Sequence, residues 1–240
     1  MGQPFLGEEN YMEISERLKT VASFVKESSS IADIGTDHGY VPIYLYKEGV
    51  INRAIACDVN RDPIKRAESN INLYHLGNVI ETRLGDGLTP IKEGETDGAV
   101  IAGMGGMLMI EILRKFPDKT DSFRELILQP QSDVPAVRKY IHSIGFKIED
   151  ETMLFEDGIY YNVIRAVHGK EKYTSDKDYL FGKINIDKKN NVLKKYITGI
   201  MNKNEKIAEK LEISNTDNSA KRLAEIKDYQ KICQEVLECL

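Results

Sequence analysis

The sequence predicts an α/β protein, with a mostly parallel sheet covered by helices on both faces and a long helical hairpin after it. Short apolar runs alternate with helical stretches through the first 168 of the 240 residues. The last two of these runs flank an Asp-Gly turn, which is typical of an antiparallel hairpin. The sequence then becomes Lys- and Asn-rich, with apolar residues at coiled-coil spacing. We therefore expect a sheet domain over residues 1–168 and a helical domain over residues 169–240.

The elements of the sheet domain follow from this alternation. An amphipathic helix within residues 12–27 is predicted by Ile14, Leu18, Val21 and Val25, which recur at helical spacing. Strands are expected at 31–35, 53–58, 79–84, 97–102, 125–129, 146–154 and 159–167, and helices at 38–48, 61–74, 106–115 and 134–144. A seven-stranded sheet whose last hairpin is antiparallel is typical of the Rossmann-like fold of class I S-adenosylmethionine-dependent methyltransferases.

Two heptad seams predict the C-terminal coiled-coil hairpin. The first seam comprises Leu193, Ile197, Ile200, Asn204, Ile207 and Leu211, and the second comprises Leu223, Ile226, Gln230, Cys233, Leu237 and Leu240. Residues 214–217 between them are rich in turn and capping residues, so the two helices should run antiparallel. In this register Asn204 is expected opposite Gln230 as a polar layer.

The net charge of −5 is distributed unevenly along the chain. Residues 169–240 carry a net charge of +3, and residues 1–168 carry −8. A polyanion should therefore meet the C-terminal part, where four lysines cluster near the start of the first long helix. A solvated helical face accounts for the same charges, and this alternative stays open.

Composition argues against several classes of protein. No apolar run approaches the ~18 residues of a membrane span, and residues 1–4 lack the layout of a signal peptide. Cys57, Cys233 and Cys239 have unrelated spacings, which predict neither disulfides nor a zinc site, and Cys57 is expected in the core. We expect a cytoplasmic, monomeric protein without a metal or membrane contact.

The turn after the first strand carries the clearest functional signal. Residues 33–40 read DIGTDHGY, in which an acid is followed by the spaced glycines Gly35 and Gly39. Glycine lets the backbone approach a ligand closely, as at a nucleotide cofactor. A dinucleotide-binding GxGxxG turn would need glycine at position 37 and a small residue near 40, whereas this chain has Asp37 and Tyr40.

Three acids are expected to meet at one edge of the sheet. Asp33 ends the first strand, Asp58 ends the second strand 23 residues after Gly35, and Asp86 lies in a Gly-Asp-Gly turn after the third. The carboxyl ends of parallel strands share an edge, where a carboxylate can accept ribose hydroxyls, so the acids together predict one ligand crevice. Taken singly, each has an alternative: Asp33 ties down its own loop, Asp58 caps the helix that begins near Arg61, and Asp86 is a turn residue.

A glycine-rich segment follows the fourth strand. Residues 102–106 read AGMGG and lack the Asn/Asp-Pro-Pro-aromatic tetrad with which many base amino-methyltransferases bind the target amino group. Peptide groups rather than an Asn side chain would then face the reacting centre. The alternative is a glycine-rich helix start selected for close packing.

These motifs resemble those of the bacterial TrmK-like tRNA (adenine-N1)-methyltransferases. The resemblance rests on IGTDHGYVP at residues 34–42, GDGL at 85–88, AGMGG at 102–106 and LQPQ at 128–131, and it extends over nearly the whole chain. Family members more often read SDHAYLP in the first motif, so Thr36, Gly39 and Val41 depart from the pattern. The resemblance implies methyl transfer from S-adenosylmethionine to N1 of adenine 22 in tRNA.

The motifs and the resemblance together define the expected site. Residues expected to bind S-adenosylmethionine are Asp33, Gly35, Thr36, Asp37, Gly39, Asp58, Val59, Asp86, Gly87, Ala102, Gly103 and Met104. Residues expected to bind tRNA are His38, Tyr40, Gly105, Gln129, Lys188, Lys189, Lys194 and Lys195. Tyr40 should stack on a base, and Gln129 should donate or accept a hydrogen bond with one. Three roles are open for His38: it contacts a tRNA phosphate, it shuttles a proton, or it is structural.

The chemistry of the reaction suggests a catalytic role for Asp37. N1 of adenine carries an in-plane lone pair, so positioning a turned-out base should supply most of the rate. In the leading hypothesis Asp37 accepts a hydrogen bond from adenine N6 and stabilises the positive charge that methylation leaves. Rival hypotheses make Asp37 a helix N-cap or a partner of the cofactor's ammonium group. Two other functions stay open: a methyltransferase for a small molecule or protein, and a non-catalytic tRNA-binding protein.

Overall fold

Seven strands form one mixed sheet in the computed structural model, which describes residues 12–214 and 216–240. The strands are β1 (Ser30–Ile34), β2 (Arg53–Asp58), β3 (Ile80–Leu84), β4 (Gly98–Gly105), β5 (Glu125–Ser132), β6 (Phe146–Glu156) and β7 (Ile159–His168). Their order is β3-β2-β1-β4-β5-β7-β6. β1 pairs in parallel with β2 and β4, β2 pairs in parallel with β3, and β6 pairs antiparallel with β7. The predicted sheet and its terminal hairpin are confirmed.

Helices connect the strands as the alternation predicted. They are α1 (Glu16–Ser23), α2 (Tyr40–Lys47), α3 (Arg61–Leu73), α4 (Gly106–Lys115), α5 (Pro117–Ser122), α6 (Val134–Ser143), α7 (Lys183–Asp187), α8 (Asn191–Ser214) and α9 (Asp217–Cys239), with a π-helical turn at Asp178–Gly182. α1 is shorter than the predicted stretch because Ser15 caps it, accepting a hydrogen bond from the Leu18 N–H at 3.2 Å. Residues 1–4 and Asn215, both used in the sequence argument, lie outside the described residues.

Two strands run three residues further than their apolar runs indicated. β4 continues through Gly103 to Gly105, and β5 continues through Gln129 to Ser132. Strand formation depends on backbone pairing with neighbours, so glycine and polar residues extend a strand where a partner is present. α5 was also missed; it starts at Pro117, whose fixed φ suits the first turn of a helix.

The chain divides into two compact units. The first contains the described residues up to Ala102 together with Ile112–Ile127, and the second contains Gly103–Glu111 and Leu128–Leu240. The predicted boundary after residue 168 differs from this division. It coincides with the end of the last strand, because β7 ends at His168. That division into a sheet domain and a helical domain stays a prediction.

The C-terminal helices α8 and α9 pack together as the predicted hairpin. Leu193 and Ile197 near the start of α8 share a fully buried cluster with Cys233 and Val236 near the end of α9, which makes the helices antiparallel. Val236 was not among the predicted seam residues. The predicted polar layer of Asn204 and Gln230 stays a prediction; both residues are half-buried.

Candidate active site

Backbone hydrogen bonds join the turns at the carboxyl ends of the first three strands. The N–H groups of Gly35 and Thr36 both donate to the carbonyl of Cys57 at 2.8 Å, and the Gly85 N–H donates to the carbonyl of Asp58 at 2.9 Å. Gly35 has φ = 78°, a conformation that favours glycine. The strand ends are therefore held at one edge, as parallel pairing requires.

Asp33 is a buried acid at this edge. Its residue is only 6% exposed, and burial raises the pKa of its carboxyl to about 6, an effect that the hydroxyl of Thr36 opposes and the nearby charge of Asp58 reinforces. Among the described residues no cation lies within ion-pair distance of this carboxylate. Ionisation of Asp33 is therefore unfavourable in this site, and a bound cation would stabilise the ionised carboxylate.

Asp58 and Val59 close the second strand. The Asp58 carboxylate accepts a hydrogen bond from the Asn60 N–H at 2.7 Å, and Asn60, not Asp58, is the N-cap residue of α3. The capping alternative for Asp58 is therefore wrong. Val59 beside it is 60% exposed. An exposed apolar side chain next to a carboxylate can cover one face of a nucleoside while the acid accepts hydroxyl donors.

Asp37 lies at the exposed start of the following helix. Its carboxylate accepts a hydrogen bond from Arg66 through Oδ1, and the Nε2 atom of His38 lies 3.3 Å from Oδ2. The N-cap residue of α2 is Gly39, whose φ is 69°, so the N-cap hypothesis for Asp37 is wrong. The Gly39 N–H donates instead to the hydroxyl of Thr36 at 3.2 Å.

The rings of His38 and Tyr40 stack on each other next to Asp37. Their centroids are 4.9 Å apart, and the ring planes differ by 11°. The carbonyl of His38 accepts a hydrogen bond from the Asn70 side chain at 2.9 Å. Tyr40 was expected to stack on a base. One face of its ring stacks on His38, and stacking on a base stays a prediction.

Asp86 and Gly87 form the turn after β3. The Asp86 carboxylate accepts a hydrogen bond from Lys115 at 2.8 Å, and its carbonyl accepts one from the Thr89 N–H at 3.0 Å, which is a turn contact. Gly87 has φ = 53°, and a Cβ there would lie 3.1 Å from Ile112. Asp86 thus combines a turn residue's backbone role with an exposed carboxylate.

The glycine-rich segment belongs to the end of β4. Ala102 follows Ile101, which pairs with Ile34 of β1, so Ala102 is level with the turn after β1. Gly103 is exposed with φ = 78°. The close-packing alternative holds at Gly106, where a Cβ would lie 2.5 Å from the carbonyl oxygen of Ser132.

Gln129 is fully buried and contacts this segment from β5. Its Oε1 atom accepts a hydrogen bond from the Gly103 N–H at 3.2 Å, and its Nε2 atom donates to the carbonyl of Pro130 at 3.4 Å. Met104 and Gly105, next along β4, are half-buried. The observed contact gives Gln129 a role in holding the backbone of Gly103, and its expected contact with a base stays a prediction.

The four predicted RNA-binding lysines are exposed but differ in their partners. Lys188 pairs with Asp150 of β6, and Lys189 follows it with φ = 52° in the short connection to α8. Lys194 and Lys195 lie in the first turns of α8 and point to solvent. Because Lys188 is already paired, the other three offer a polyanion more accessible charge.

Two residues contact the Asp37 segment although no local sequence pattern indicates them. Arg66 and Asn70 both belong to α3 and reach back to the turn after β1. Their spacing of four residues puts them on one helix face, but nothing local distinguishes that face from the rest of a polar helix. Only the packing of α3 beside the turn identifies them.

The described part of the chain carries neither a metal-binding cluster nor a membrane-spanning helix. No group of three His, Cys, Asp or Glu side chains there is placed to hold a metal ion. No helix among the described residues is long and apolar enough to cross a bilayer. Cys57 is buried, as predicted.

Comparison with known proteins places this architecture in context. A family model described as a methyltransferase domain matches residues 14–164. The tRNA (adenine(22)-N(1))-methyltransferase of Bacillus subtilis (strain 168) is 32% identical over 235 residues, covering 95% of this chain and 99% of the relative. The crystal structure of the B. subtilis m1A22 tRNA methyltransferase TrmK superposes with a TM-score of 0.84 at 32% identity, covering 95% of this chain and all of that one. Streptococcus pneumoniae Sp1610 in complex with S-adenosyl-L-methionine gives a TM-score of 0.80 at 33% identity, covering 94% and 100%.

Proposed function

The chain belongs to the methyltransferase-domain family and, within it, to the tRNA (adenine(22)-N(1))-methyltransferases, and from this premise we propose that it methylates N1 of adenine 22 in tRNA. The methyl donor is S-adenosylmethionine. The observation that carries the proposal is the pair of neighbouring carboxylates, Asp33 and Asp58, at the carboxyl ends of β1 and β2. Such an edge is where nucleotide cofactors bind to open α/β sheets.

The donor set at this edge fits the cofactor's chemistry. S-adenosylmethionine carries an ammonium group, ribose hydroxyls and an adenine ring, and when bound it supplies an electrophilic methyl group. Asp33 is a buried carboxylate without a cationic partner among the described residues, which suits an ammonium. We assign Asp58 to the ribose hydroxyls, because Asp58 ends β2 and Val59 beside it is an exposed apolar residue. Asp86 and Gly87 follow β3 and would lie toward the adenine ring.

The remaining predicted cofactor contacts are backbone groups. Gly35, Gly39 and Gly103 all have positive φ, which lets the main chain approach a ligand without a side chain intervening. Thr36 is fixed by its hydrogen bonds and holds the turn in shape. Ala102, in the same unit as the turn after β1, and Met104, in the other unit, stay predicted cofactor contacts.

Asp37 is the residue that we place against the target base. Its carboxylate is exposed and already oriented by two neighbouring side chains, so it has free acceptor capacity for the N6 amino group of adenine. A hydrogen bond there would direct N1 toward the methyl group and stabilise the cation that forms. No proton needs to be removed from N1 before it attacks, so Asp37 acts by positioning and by charge rather than as a base.

His38 and Tyr40 extend the surface around Asp37 within the same unit, and Gly105, in the other unit, stays a predicted RNA contact. We propose that the stacked rings of His38 and Tyr40 receive a base of the RNA on their open side, because aromatic faces bind unstacked bases. Gln129 keeps the Gly103 peptide in place. The cytoplasmic location and monomeric state expected from the sequence stay predictions.

Lys188, Lys189, Lys194 and Lys195 are our candidates for phosphate contacts. Replacing all four with Ser should weaken tRNA binding and flatten its dependence on salt, because each lost phosphate contact lowers the slope by about 0.9 in a double-helical region. Lys188→Ser alone should change the slope least, since Asp150 already pairs with Lys188. An unchanged slope in the quadruple variant would argue for a solvated helical face.

The proposal is tested by incubating the protein with labelled S-adenosylmethionine and unmodified tRNA, then mapping the product by mass spectrometry. Label is expected as 1-methyladenosine at position 22. Asp37→Asn should lower the rate by about 100- to 1,000-fold at unchanged cofactor affinity, the range found for lost stabilisation of a developing charge. Label at another nucleoside or only in small molecules or proteins would refute the substrate. Weakened cofactor binding in Asp37→Asn would assign Asp37 to the ammonium group instead.

A further inference from the structure

We propose that Arg66 and Asn70, on one face of α3, are positioning residues that set the Asp37 carboxylate and the His38–Tyr40 ring pair for the target base. The inference rests on the proposed function, because it concerns how Asp37 meets adenine. It assigns a role in methyl transfer to a helix that otherwise contributes only packing to the site.

The contacts of α3 form a continuous platform under the turn. Arg66 donates to Asp37 Oδ1, and Asn70 donates to the carbonyl of His38 at 2.9 Å. Between these two contacts, Ala67 packs beside Gly39, where a Cβ on the glycine would lie in ordinary contact with the Ala67 side chain at 3.4 Å. Asp37 and His38 are therefore both hydrogen-bonded from one face of α3, and Gly39 packs against the same face.

The contact with Arg66 restricts the orientation of the Asp37 carboxylate. The Asp37 side chain is 63% exposed, so without a partner it would occupy several rotamers. A carboxylate offers about four lone pairs, of which Arg66 uses one on Oδ1, and the Nε2 atom of His38 lies 3.3 Å from Oδ2. The remaining lone pairs stay available to an amino group. The two partners thus orient the carboxylate without saturating it.

Asn70 acts on the neighbouring residue. Its hydrogen bond fixes the peptide between His38 and Gly39, and hence the direction in which the His38 ring leaves the backbone. That ring stacks on Tyr40 with centroids 4.9 Å apart. Because small misplacements of a reacting group lower rates strongly, a fixed ring pair beside a fixed carboxylate favours a productive position of the base.

The pair of Arg66 and Asp37 is not built for stability. Both side chains are largely exposed, and exposed ion pairs contribute little to folding. A contact that adds little stability but holds the residue nearest the proposed chemistry is best explained by what it does for that chemistry. The expected phenotype is therefore a loss of rate without a loss of fold.

The experiment measures single-turnover methyl transfer with enzyme and S-adenosylmethionine in excess over tRNA. Arg66→Met should lower the rate about three- to fivefold, the size of an exposed charged contact, and Arg66→Lys should restore most of it because a single donor suffices. Lys65→Met is the matched control: it removes the same charge one residue away on α3, where the nearest carboxylate is 4.0 Å distant. Its rate should be that of wild type. Asn70→Ala should lower the rate to a similar extent as Arg66→Met.

A double-mutant cycle with Asp37→Asn separates positioning from other roles. If Arg66 acts through Asp37, Arg66→Met should have almost no further effect in the Asp37→Asn background. An equal loss in both backgrounds would overturn the inference, as would a loss that appears only as a reduced salt slope of tRNA binding, which would mark a phosphate contact. The proposed function is judged separately by whether wild type forms 1-methyladenosine at position 22. Failure of the cycle in an active enzyme therefore rejects this inference alone.

Discussion

The chain pairs an arginine with a carboxylate in two contrasting environments. In one compact unit Arg138 donates to Glu151 at 2.9 Å, and neither side chain has any solvent exposure. In the other unit Arg66 donates to Asp37, while the two side chains are 45% and 63% exposed. The chemistry of the contact is the same, and only the surroundings differ.

The buried pair is enclosed by further hydrogen bonds. Arg138 also donates to the carbonyl of Tyr179 at 2.8 Å and to the side chain of Asn162 at 3.3 Å, and Glu151 accepts from the Ile184 N–H at 3.1 Å. These bonds offset the removal of two charges from water and tie the chain after β7 to β6 and α6. The exposed pair leaves its carboxylate accessible. Burial therefore determines whether such a pair specifies the fold or stays available to a ligand.

The largest effect is expected from breaking the buried pair. Arg138→Met leaves the Glu151 charge buried without its partner, which should lower the free energy of unfolding by about 3–5 kcal/mol. Urea denaturation followed by circular dichroism measures it. The neighbouring Lys139→Met is the control, since Lys139 is 57% exposed and lies 3.9 Å from Asp176. A loss no larger than that of the control would remove the distinction between the two environments.

Asp33 extends the comparison to a buried carboxylate without an arginine. Its pKa in the folded protein is about 6, above the usual 3.8, so the folded state holds a proton that the unfolded state releases between these values. Its favourable contribution to stability is present at low pH and is lost as pH rises through 6. Asp33→Asn should therefore stabilise the cofactor-free protein at pH ~7.5 by about 3 kcal/mol and much less at pH ~4.5.

Denaturation at the two pH values checks this sign. Glu93→Gln, which removes an exposed carboxylate, is the control and should change stability less than Asp33→Asn at the higher pH. If Asp33→Asn destabilises the protein at the higher pH, then Asp33 has a cationic partner in solution and resembles Glu151 more than an empty acceptor. S-adenosylmethionine should stabilise wild type more at the higher pH, because its ammonium would pair with the ionised Asp33.

Local patterns predicted the sheet and its acids but not the two ion pairs. Asp33 and Asp58 could be assigned because each ends an apolar run, and the ends of parallel strands meet. Arg66 lies 29 residues from Asp37, and no feature of its helix separates it from its charged neighbours. Such contacts depend on how elements pack, which a single sequence does not encode in any short pattern.

The burial of Arg138 and Gln129 could not be predicted from the local sequence either. Charged and amide side chains are normally assigned to the surface, yet both residues are fully buried. Their burial is possible only because specific acceptors and donors are present from distant segments, such as Glu151 for Arg138 and Gly103 for Gln129. The predicted ends of β4 and β5 fell three residues short, and no local pattern indicated the contact between Gln129 and Gly103.

A smaller effect is expected where the buried pair meets the backbone. Gly182 has φ = 89°, and a Cβ there would lie 2.4–2.6 Å from the Glu151 carboxylate, which Arg138 holds in place. Gly145 has φ = 85° with nothing within 4 Å of a Cβ. Gly182→Ala should therefore lower the free energy of unfolding by about 2 kcal/mol more than Gly145→Ala, the typical effect of overpacking. Equal losses would mean that the Glu151 side chain moves aside and is less fixed than its hydrogen bonds indicate.

The smallest effect on stability is expected at the exposed pair of Arg66 and Asp37. A small effect there would separate the role of the pair in activity from any role in folding. Arg66→Met should change the free energy of unfolding by less than about 1 kcal/mol, and raising the salt from ~0.02 M to ~0.5 M should abolish even that difference. The same variant is expected to lose methyl-transfer rate, so stability and activity should separate at Arg66. For Arg138 the two should fall together, because activity there depends on the fold. A large, salt-resistant loss of stability in Arg66→Met would show that the Asp37 pair is structural after all, and the carboxylate would then be too firmly held to be reserved for a base.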